Sequence, residues 1–412
     1  MTLAPSPFAP TTFPDMPAFD GVDSVVLQAG FYKRPRPDLT LIRFPETTRV
    51  AGIFTQHAIG SAPVDYCKAT IRAQKGRIRA LLVNAGCANA FTGQAGDAAC
   101  LRSAEAAGQA ANVDAQAVLL ASTGVIGVLL PAEKVEKAIP QLRANLAPID
   151  WQEAARAIMT TDTYPKASSR QARIDGVVVN IAGIAKGSGM IAPNMATFLG
   201  FLVTDARLPA RVLQTLLREL NPQSFDAVTV DGDRSTNDTL LLFATGTKTH
   251  AAIRSASDKA LAEFRQALFE VMQSLAFDLV KDGEGAQKFV TIRVQGAQSD
   301  RAARQIARVV SESPLVKTAI AGEDANWGRI VMAVGRAGER IDRHRVSIRF
   351  GPHWAARDGA ISSDYNEALM SAYMKSREIE IDIRVGEGAG SGVIYTCDLT
   401  KAYVAINGDY RS

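Results

Sequence analysis

One stretch of the sequence carries a flexible loop that ends in a hydroxyl side chain. Residues 186–197 read Lys-Gly-Ser-Gly-Met-Ile-Ala-Pro-Asn-Met-Ala-Thr, and the apolar run 198–203 follows. The glycines allow backbone angles that other residues avoid, whereas Pro193 fixes one point of the loop. The pattern would present Thr197 at the edge of a strand, where its hydroxyl could act as a nucleophile.

A threonine in this position could first react with its own chain. The Thr197 hydroxyl could attack the preceding carbonyl in an N-to-O acyl shift, and hydrolysis of the resulting ester would cut the chain between Ala196 and Thr197. The new α-amine, whose reference pKa is about 7.7–8.0, could then serve as the base for its own hydroxyl. This variant of nucleophilic catalysis needs no histidine.

Two other interpretations of the same segment stay open. Gly187, Gly189 and Ala192 match a loosened dinucleotide-binding fingerprint. That motif normally opens a helix, however, and the run 197–203 is as β-like as it is helical. The segment could also be an ordinary Gly/Pro loop that enters a strand, and taken by itself it favours this ordinary loop.

The other residues that could do chemistry form no recognisable site. The sequence contains no Gly-x-x-x-x-Gly-Lys-Ser/Thr, His-Glu-x-x-His, EF-hand or Gly-x-Ser-x-Gly pattern. The four histidines are scattered and lack metal-ligand spacing: His57, His250, His344 and His353. We therefore expect no metal site and no histidine-based triad.

Charge and cysteine usage exclude several further classes. The chain carries 46 Lys+Arg against 42 Asp+Glu, and its densest basic cluster, residues 33–36, is short and lacks interleaved aromatic residues. We therefore expect no nucleic-acid partner and no membrane partner. Four cysteines without a Cys-x-x-Cys pair, together with an N-terminus that lacks a secretion signal, predict reduced thiols in a cytoplasmic protein.

The 412 residues, 47% of them hydrophobic, predict a mixed α/β protein of two or three domains. Apolar residues at helical spacing indicate a core-facing helix over 258–282. Strict alternation over 378–385 predicts an antiparallel sheet with one face in water, and the run 402–406 also reads as a strand. We place a main α/β domain at 1–285 and a smaller α+β domain at 286–412.

Longer motifs are spread over nearly the whole chain. Besides the loop 186–197, they lie at 83–93, 122–127, 159–166, 231–239, 326–330 and 403–412. In content and order they resemble the motifs of the ornithine acetyltransferase family, that is, the glutamate N-acetyltransferase or ArgJ family of arginine biosynthesis. The loop itself resembles the cleavage-site signature of that family.

The resemblance implies a layered α/β (α+β) sandwich of the DmpA/ArgJ type and a proenzyme that cuts itself between Ala196 and Thr197. The α chain would comprise residues 1–196, the β chain would begin at 197, and the two would stay together as an α2β2 assembly. Thr197 would take acetyl from N-acetylornithine and pass it to glutamate by ping-pong transfer. No cofactor is implied; acetyl-CoA could serve as a co-substrate, and no single residue decides this.

The resemblance also assigns site residues. Thr123 and Gly124 resemble an oxyanion-hole pair, and a hydroxyl with a backbone N–H suits that role physically. Substrate contacts map onto Thr163, Lys186, Thr197, Glu284, Asn407 and Ser412. Lys186 could pair with a carboxylate and Glu284 with a cationic amine. Among Thr160, Thr161 and Thr163 we choose Thr163, because it directly precedes Tyr-Pro-Lys.

Two alternative functions remain. An N-terminal-nucleophile amidase or aminopeptidase would keep the self-cleavage and let water take the acyl group. A binding protein for acylated amino acids would bind ligand without turnover. The intact set of Thr123, Gly124, Lys186 and Thr197 argues against the binding protein.

Overall fold

The computed structural model describes residues 4–192 and 198–408. The strands in this part of the chain are β1 (Asp23–Leu27), β2 (Leu39–Arg43), β3 (Arg49–Phe54), β4 (Ala80–Cys87), β5 (Val118–Val125), β6 (Ala147–Pro148), β7 (Lys166–Ile174), β8 (Val177–Lys186), β9 (Leu199–Ala206), β10 (Thr239–Lys248), β11 (Phe289–Ala297), β12 (Ser347–Phe350), β13 (His353–Arg357), β14 (Ala360–Ile361), β15 (Glu378–Arg384) and β16 (Gly390–Cys397). The α-helices are α1 (Ala62–Ala73), α2 (Gly93–Ala111), α3 (Ala132–Ala144), α4 (Trp151–Ala157), α5 (Ala210–Leu220), α6 (Ala262–Lys281), α7 (Asp300–Ser311), α8 (Pro314–Ala321), α9 (Trp327–Gly335), α10 (Glu367–Met374) and α11 (Lys401–Gly408).

The strands form three sheets. The first has the order β5-β4-β2-β1-β6, and only its β4–β5 pair is parallel. The second has the order β3-β10-β9-β8-β7, and only its β9–β10 pair is parallel. The third sheet, β14-β13-β12-β15-β11-β16, takes all its strands from the segment 289–397.

Buried apolar side chains determine how these elements stack. Leu81 of β4, Phe201 of β9 and Phe243 of β10 belong to one core, so the first two sheets pack face to face. The opposite face of the first sheet packs against α2 and α3, and the opposite face of the second sheet packs against α5 and α6. The four layers form an α/β/β/α sandwich, which confirms the layered α/β architecture that the resemblance implied.

The third sheet has a core of its own. Val290 of β11, Ile306 of α7 and Ile381 of β15 are fully buried together. The strands and this core follow residue 285, but α11 returns from the third sheet to the first part of the chain, because Asn407 contacts Glu284. The domain boundary at 285/286 stays a prediction.

The predicted core-facing helix is confirmed as α6, which follows the 3-10 turn Lys259–Leu261. Its apolar stripe is buried at Phe264, Leu268, Met272, Leu275 and Leu279. The run after the loop 186–197 is the strand β9, so this loop opens no helix. The dinucleotide-binding interpretation of the loop is therefore wrong.

The predicted strand over 402–406 is also wrong, because this run belongs to the helix α11. Tyr403 and Ile406 are half-buried, whereas Val404 and Ala405 are exposed. Buried positions three residues apart match the period of a helix. In a run this short, however, the sequence pattern cannot distinguish an apolar strand from a helix.

The antiparallel prediction for 378–385 holds for one neighbour only. The strand β15 is antiparallel to β12 but parallel to β11. Its side chains alternate between exposed and buried, as the sequence predicted. Alternation reports which face of a strand is buried and carries no information about the direction of the neighbouring strand.

Within residues 4–192 and 198–408, no helix has both the length and the apolar character that a bilayer crossing requires.

All four cysteines are free and buried: Cys67, Cys87, Cys100 and Cys397. Burial raises the pKa of Cys67 and of Cys100 to about 12 and also raises the pKa of Cys87 and Cys397. Since the thiolate is the reactive form, we expect none of the four to react quickly with a disulfide reagent at pH 8 in the folded protein. Denaturation should release four reactive thiols per chain, and fast labelling of the native protein would contradict the buried placement.

Candidate active site

A cavity of about 310 Å³ lies where several strands and loops end. Its walls come from the end of β5, the end of β8, the loops around residues 160 and 236, and the chain after α6. The lining residues are Ala88, Thr123, Gly124, Val125, Ile126, Thr160, Thr161, Lys186, Gly189, Met190, Ser235, Asn237, Glu284 and Asn407. The volume suits a small ligand such as an amino-acid derivative.

Five of the residues singled out in the sequence meet in this cavity: Thr123, Gly124, Lys186, Glu284 and Asn407. Thr160 and Thr161 line it as well, whereas Thr163 is not among the lining residues. The Thr163 hydroxyl donates to Asp282 and accepts the backbone N–H of Ser6. Ala196, Thr197 and Ser412 lie outside the described residues.

The end of β5 presents two groups that could hold an oxyanion. The Lys186 ammonium donates to Thr123 Oγ1 over 3.2 Å, and both side chains are buried. An ammonium group can only donate, so the Thr123 hydroxyl keeps its own hydrogen for another acceptor. The adjacent Gly124 supplies a backbone N–H at the same wall.

Gly124 occupies a position that only glycine can fill. Its φ is +129°, and a Cβ there would lie 2.3 Å from the carbonyl carbon of Gly86. The register of the β4–β5 ladder shifts beside it, at Gly86/Cys87. The close approach of β4 and β5 therefore requires a glycine at position 124, where β5 lines the cavity.

Lys186 is fully buried, and burial is the main cause that lowers its pKa. Asp162, Asp238 and Glu284 oppose this shift, whereas the nearby Lys166 adds to it. A lysine in such surroundings holds its proton less tightly than an exposed one.

A buried ion cluster stands behind the cavity wall. Lys166 Nζ lies 2.7 Å from Asp162 Oδ1 and 2.6 Å from Asp282 Oδ2, and none of the three side chains is exposed. Burial alone would raise the pKa of Asp162, but Lys166 and Lys186 outweigh it and hold that pKa below its usual range. Burial likewise opposes the charge of Lys166, and the two carboxylates overcome it and raise the Lys166 pKa.

The cluster also fixes the backbone that carries the site. Asp162 accepts the N–H of Gly187 over 2.7 Å and that of Thr160 over 2.9 Å. The Ser188 hydroxyl donates to the Asp282 carbonyl over 2.6 Å. The segment after β8, the loop at residue 160 and the end of α6 are thereby tied to one another.

Glu284 and Asn407 form a further part of the cavity wall. The Asn407 amide donates to Glu284 Oε2 over 2.7 Å, and the Glu284 N–H donates to the Ser188 carbonyl over 2.9 Å. A Cβ on Gly189 would lie 2.6 Å from the Glu284 carboxyl group, so the chain passes close to it. A largely buried carboxylate at this wall suits a ligand that carries a cationic amine.

The residue after Thr197 is held by a buried carboxyl group. The N–H of Phe198 donates to Asp238 Oδ1 over 3.0 Å, and the Phe198 ring stacks on Phe225 with centroids 4.3 Å apart. Burial raises the pKa of Asp238 well above its usual value. On the other side of the undescribed segment, Asp231 accepts the N–H of Ile191 over 2.9 Å.

Sequence reasoning missed several supporting residues. Asn237 lies within the motif 231–239, and its amide donates to the carbonyls of Ala88 and Ser122 at 2.7 and 2.9 Å and so joins the two sheets beside the cavity. The only sequence feature that pointed to Asp162 and Lys166 as functional residues is their place within the motif 159–166. Nothing in the sequence pointed to Asp282 as their partner.

The layered α/β/β/α sandwich, with a hydroxyl and a backbone N–H beside a buried lysine, has the groups that an acyl-transfer enzyme needs. The ArgJ family model matches residues 24–412. The arginine biosynthesis bifunctional protein ArgJ of Caulobacter vibrioides is 57% identical over 401 residues, which cover 97% of this chain and 100% of that protein. The protein of the same name from Agrobacterium fabrum is 49% identical over 415 residues, with both chains covered completely.

A solved structure agrees with these relatives. The crystal structure of the arginine biosynthesis bifunctional protein ArgJ from Bacillus halodurans matches with a TM-score of 0.50 and 35% identity, and the match covers 52% of this chain and 99% of that one. The chain belongs to the ArgJ family.

Replacing Lys166 with methionine tests the buried ion cluster. The substitution leaves Asp162 and Asp282 facing each other without their cation, so we expect the free energy of unfolding to fall by about 3–5 kcal/mol. Denaturant titration measures the loss. The matched control is Arg102→Met, which removes one partner of the exposed pair with Glu136 and should leave stability close to that of the wild type. Equal stability of the two variants would contradict the role given to the cluster.

Proposed function

We propose that this protein is an acetyltransferase of arginine biosynthesis that moves acetyl from N-acetylornithine to glutamate through an acetyl-Thr197 intermediate. Membership of the ArgJ family and the name shared by its relatives support this pathway. The observation that carries the site is that the neighbouring residues Thr123 and Gly124 meet Lys186 and Glu284, which are distant in sequence, around one cavity.

The first half of the reaction is acyl transfer to the enzyme. The Thr197 hydroxyl attacks the acetyl carbonyl of N-acetylornithine, and its proton passes to the α-amine of Thr197. That amine returns the proton to the leaving nitrogen as the C–N bond breaks and ornithine is released. The Thr123 hydroxyl and the Gly124 N–H stabilise the oxyanion that forms on the way. Support for the Thr123 role comes from the Lys186 ammonium, which donates to the hydroxyl oxygen and so directs the hydroxyl hydrogen elsewhere.

The second half returns the acetyl group to an amine. The neutral amine of glutamate attacks the acetyl ester and loses a proton to the α-amine of Thr197. The α-amine passes this proton to the Thr197 oxygen as the C–O bond breaks and N-acetylglutamate leaves. Both substrates are amino acids of similar size that bind in turn at one site. The same cavity, with a cation at Lys186 and a carboxylate at Glu284, would hold the charged ends of each.

Self-cleavage supplies the base for this cycle. Cutting between Ala196 and Thr197 would give chains of 196 and 216 residues and free the α-amine of Thr197, and two copies of each would form α2β2. The α-amine of Thr197 would accept the proton of the attacking hydroxyl, as a histidine does in other hydrolases and transferases. Among the threonines 160, 161 and 163, the cavity favours Thr160 and Thr161 as direct substrate contacts.

The test of this function follows both processing and transfer. Denaturing electrophoresis of the purified wild type should show two fragments near half of 44.0 kDa, and Thr197→Ala should give one uncut chain without activity. Thr197→Ser keeps a hydroxyl nucleophile and should still be cut. A stable single wild-type band would contradict the mechanism, and release of free acetate without acetylglutamate would point to a hydrolase instead.

Substitution of Thr123 tests the oxyanion assignment. Thr123→Val removes the hydroxyl with little change in size, and we expect kcat for N-acetylornithine to fall about 10²–10³-fold with a smaller change in KM. Thr123→Ser keeps the donor and should retain most of the activity. The extent of self-cleavage in both variants and in the wild type should be compared first by denaturing electrophoresis, so that the kinetics refer to equally cleaved enzyme. Full activity in Thr123→Val would exclude the hydroxyl from the oxyanion site.

A further inference from the structure

The proposed reaction brings together groups from two different sheets. Phe198, the residue after Thr197, directly precedes β9 of the second sheet, whereas Thr123 and Gly124 lie in β5 of the first sheet. The two sheets face each other through apolar side chains, which pack without directional contacts. Their separation must nevertheless be fixed at the site, because a displacement of about 1 Å can lower a rate about 10²-fold.

Asn237 reaches from the second sheet to the first. It lies two residues before β10, and its amide donates to the carbonyl of Ser122 over 2.9 Å and to that of Ala88, directly after β4, over 2.7 Å. The Ser122 carbonyl belongs to the peptide unit that joins Ser122 to Thr123. Asn237 therefore holds the end of β5 that carries Thr123 and Gly124.

The next residue, Asp238, holds the start of β9. Its Oδ1 accepts the N–H of Phe198 over 3.0 Å, and β9 and β10 continue from there as parallel neighbours. The Phe198 N–H belongs to the same peptide unit as the carbonyl group of Thr197. Two consecutive residues thus contact the peptide before Thr123 and the peptide after Thr197. We call Asn237 and Asp238 the sheet clamp.

The surroundings of the sheet clamp fix its conformation. The Thr236 hydroxyl donates to Asn237 Oδ1 over 2.6 Å, so the amide nitrogen is the atom that faces the two carbonyl oxygens. The N–H of Thr55 donates to the Asp238 carbonyl over 3.0 Å, and its hydroxyl donates to the Ser235 carbonyl over 2.8 Å. Asn237 and Asp238 are both buried, so water has little access to these hydrogen bonds.

Asp238 acts in this contact as a hydrogen-bond acceptor. Its second oxygen, Oδ2, is buried and has no hydrogen-bond partner among the described residues. Burial raises the pKa of this carboxyl group well above its usual value, and the Phe198 N–H and Lys186 oppose that shift only in part. A neutral carboxyl group still offers a carbonyl oxygen to the Phe198 N–H, and it brings no negative charge to the peptide after Thr197.

We propose that Asn237 and Asp238 are positioning residues that fix the oxyanion donors on β5 relative to the peptide after Thr197. This inference rests on the proposed acetyl transfer. Asn237 lines the cavity, but its amide is engaged by two backbone carbonyls, so it acts through the cavity wall and not on the substrate.

A double-mutant cycle tests the contact with the first sheet. Asn237→Ala removes both hydrogen bonds, and we expect kcat for transfer from N-acetylornithine to glutamate to fall about 10–100-fold, with a smaller change in KM. Thr123→Val already lacks one oxyanion donor, so adding Asn237→Ala to it should lower kcat only about threefold further. Equal falls in both backgrounds, or no fall in either, would overturn the proposal, since a merely structural role gives additive effects.

Two substitutions of Asp238 test the contact with β9. Asp238→Asn keeps an acceptor oxygen for the Phe198 N–H, and we expect self-cleavage and kcat within about threefold of the wild type. Asp238→Ala removes the acceptor and should slow self-cleavage at least about tenfold, measured by timed denaturing electrophoresis. Normal cleavage of Asp238→Ala would overturn the proposal. An uncut Asp238→Asn would also overturn it, because the carboxyl group itself would then be required.

The matched control is Ile306→Ala, which removes apolar volume from the separate core of the third sheet. Thermal unfolding of every variant is compared with that of the control, which should be cut and should transfer acetyl at the wild-type rate. An equal loss of activity in the control would assign the effects to stability and refute the positioning role. If Asn237→Ala does not fold, Asn237→Ser takes its place in the cycle, because its hydroxyl is too short to span both carbonyls.

Failure of the sheet clamp and failure of the proposed function give different results. A wild type that transfers acetyl while the variants show no coupling would overturn the sheet clamp alone. A wild type that is cut but transfers no acetyl to glutamate would refute the proposed function. In that case, the self-cleavage of Asp238→Ala compared with that of Asp238→Asn still decides whether the sheet clamp positions the chain.

Discussion

The buried contact of Lys166 with Asp162 and Asp282 is the interaction on which the site depends. Taking three charged groups out of water costs free energy, and only short contacts with good geometry offset that cost. Here the distances are 2.6 and 2.7 Å, and the two oxygens of Asp162 also accept the backbone N–H groups of Thr160 and Gly187. Those amides belong to the loops that line the cavity. The hydrogen bonds that offset the cost of burying these charges therefore also hold the backbone around the cavity in place.

The same cluster shapes the electrostatics of the cavity. Asp162 and Asp282 pair directly with Lys166, whereas no ion pair of Lys186 with a carboxylate occurs within residues 4–192 and 198–408. Its hydrogen bond goes to Thr123 instead. A lysine placed this way adds positive potential where an oxyanion would form, without the shielding that a direct ion pair would bring.

Local sequence patterns predicted much of the scaffold. The stripe of α6 was predictable because a long amphipathic helix carries its period in its own residues. The short helix α11 was mistaken for a strand, since eight residues carry too little periodicity. The parallel partner of β15 could not be predicted, because strand direction depends on residues elsewhere in the chain.

The site was partly predictable for a similar reason. Thr123, Gly124, Lys186, Glu284 and Asn407 came from motifs that resemble a known family, and the cavity brings them together. The preference for Thr163 over Thr160 and Thr161 rested on its position in a motif, which does not report where a side chain points. Asp282 meets Lys166 across 116 positions of sequence, and only the packed fold creates that contact.

The order of strands in the second sheet bears on what a cut after residue 196 would produce. The segment before the cut supplies β3, β7 and β8, and the segment after it supplies β9 and β10 in the middle of the same sheet. Two antiparallel seams, β3–β10 and β8–β9, would then join separate polypeptides through main-chain hydrogen bonds. Each fragment would expose a broken sheet without the other. Dissociation of such a heterodimer would therefore amount to unfolding, and dilution of the native enzyme should not separate its two chains.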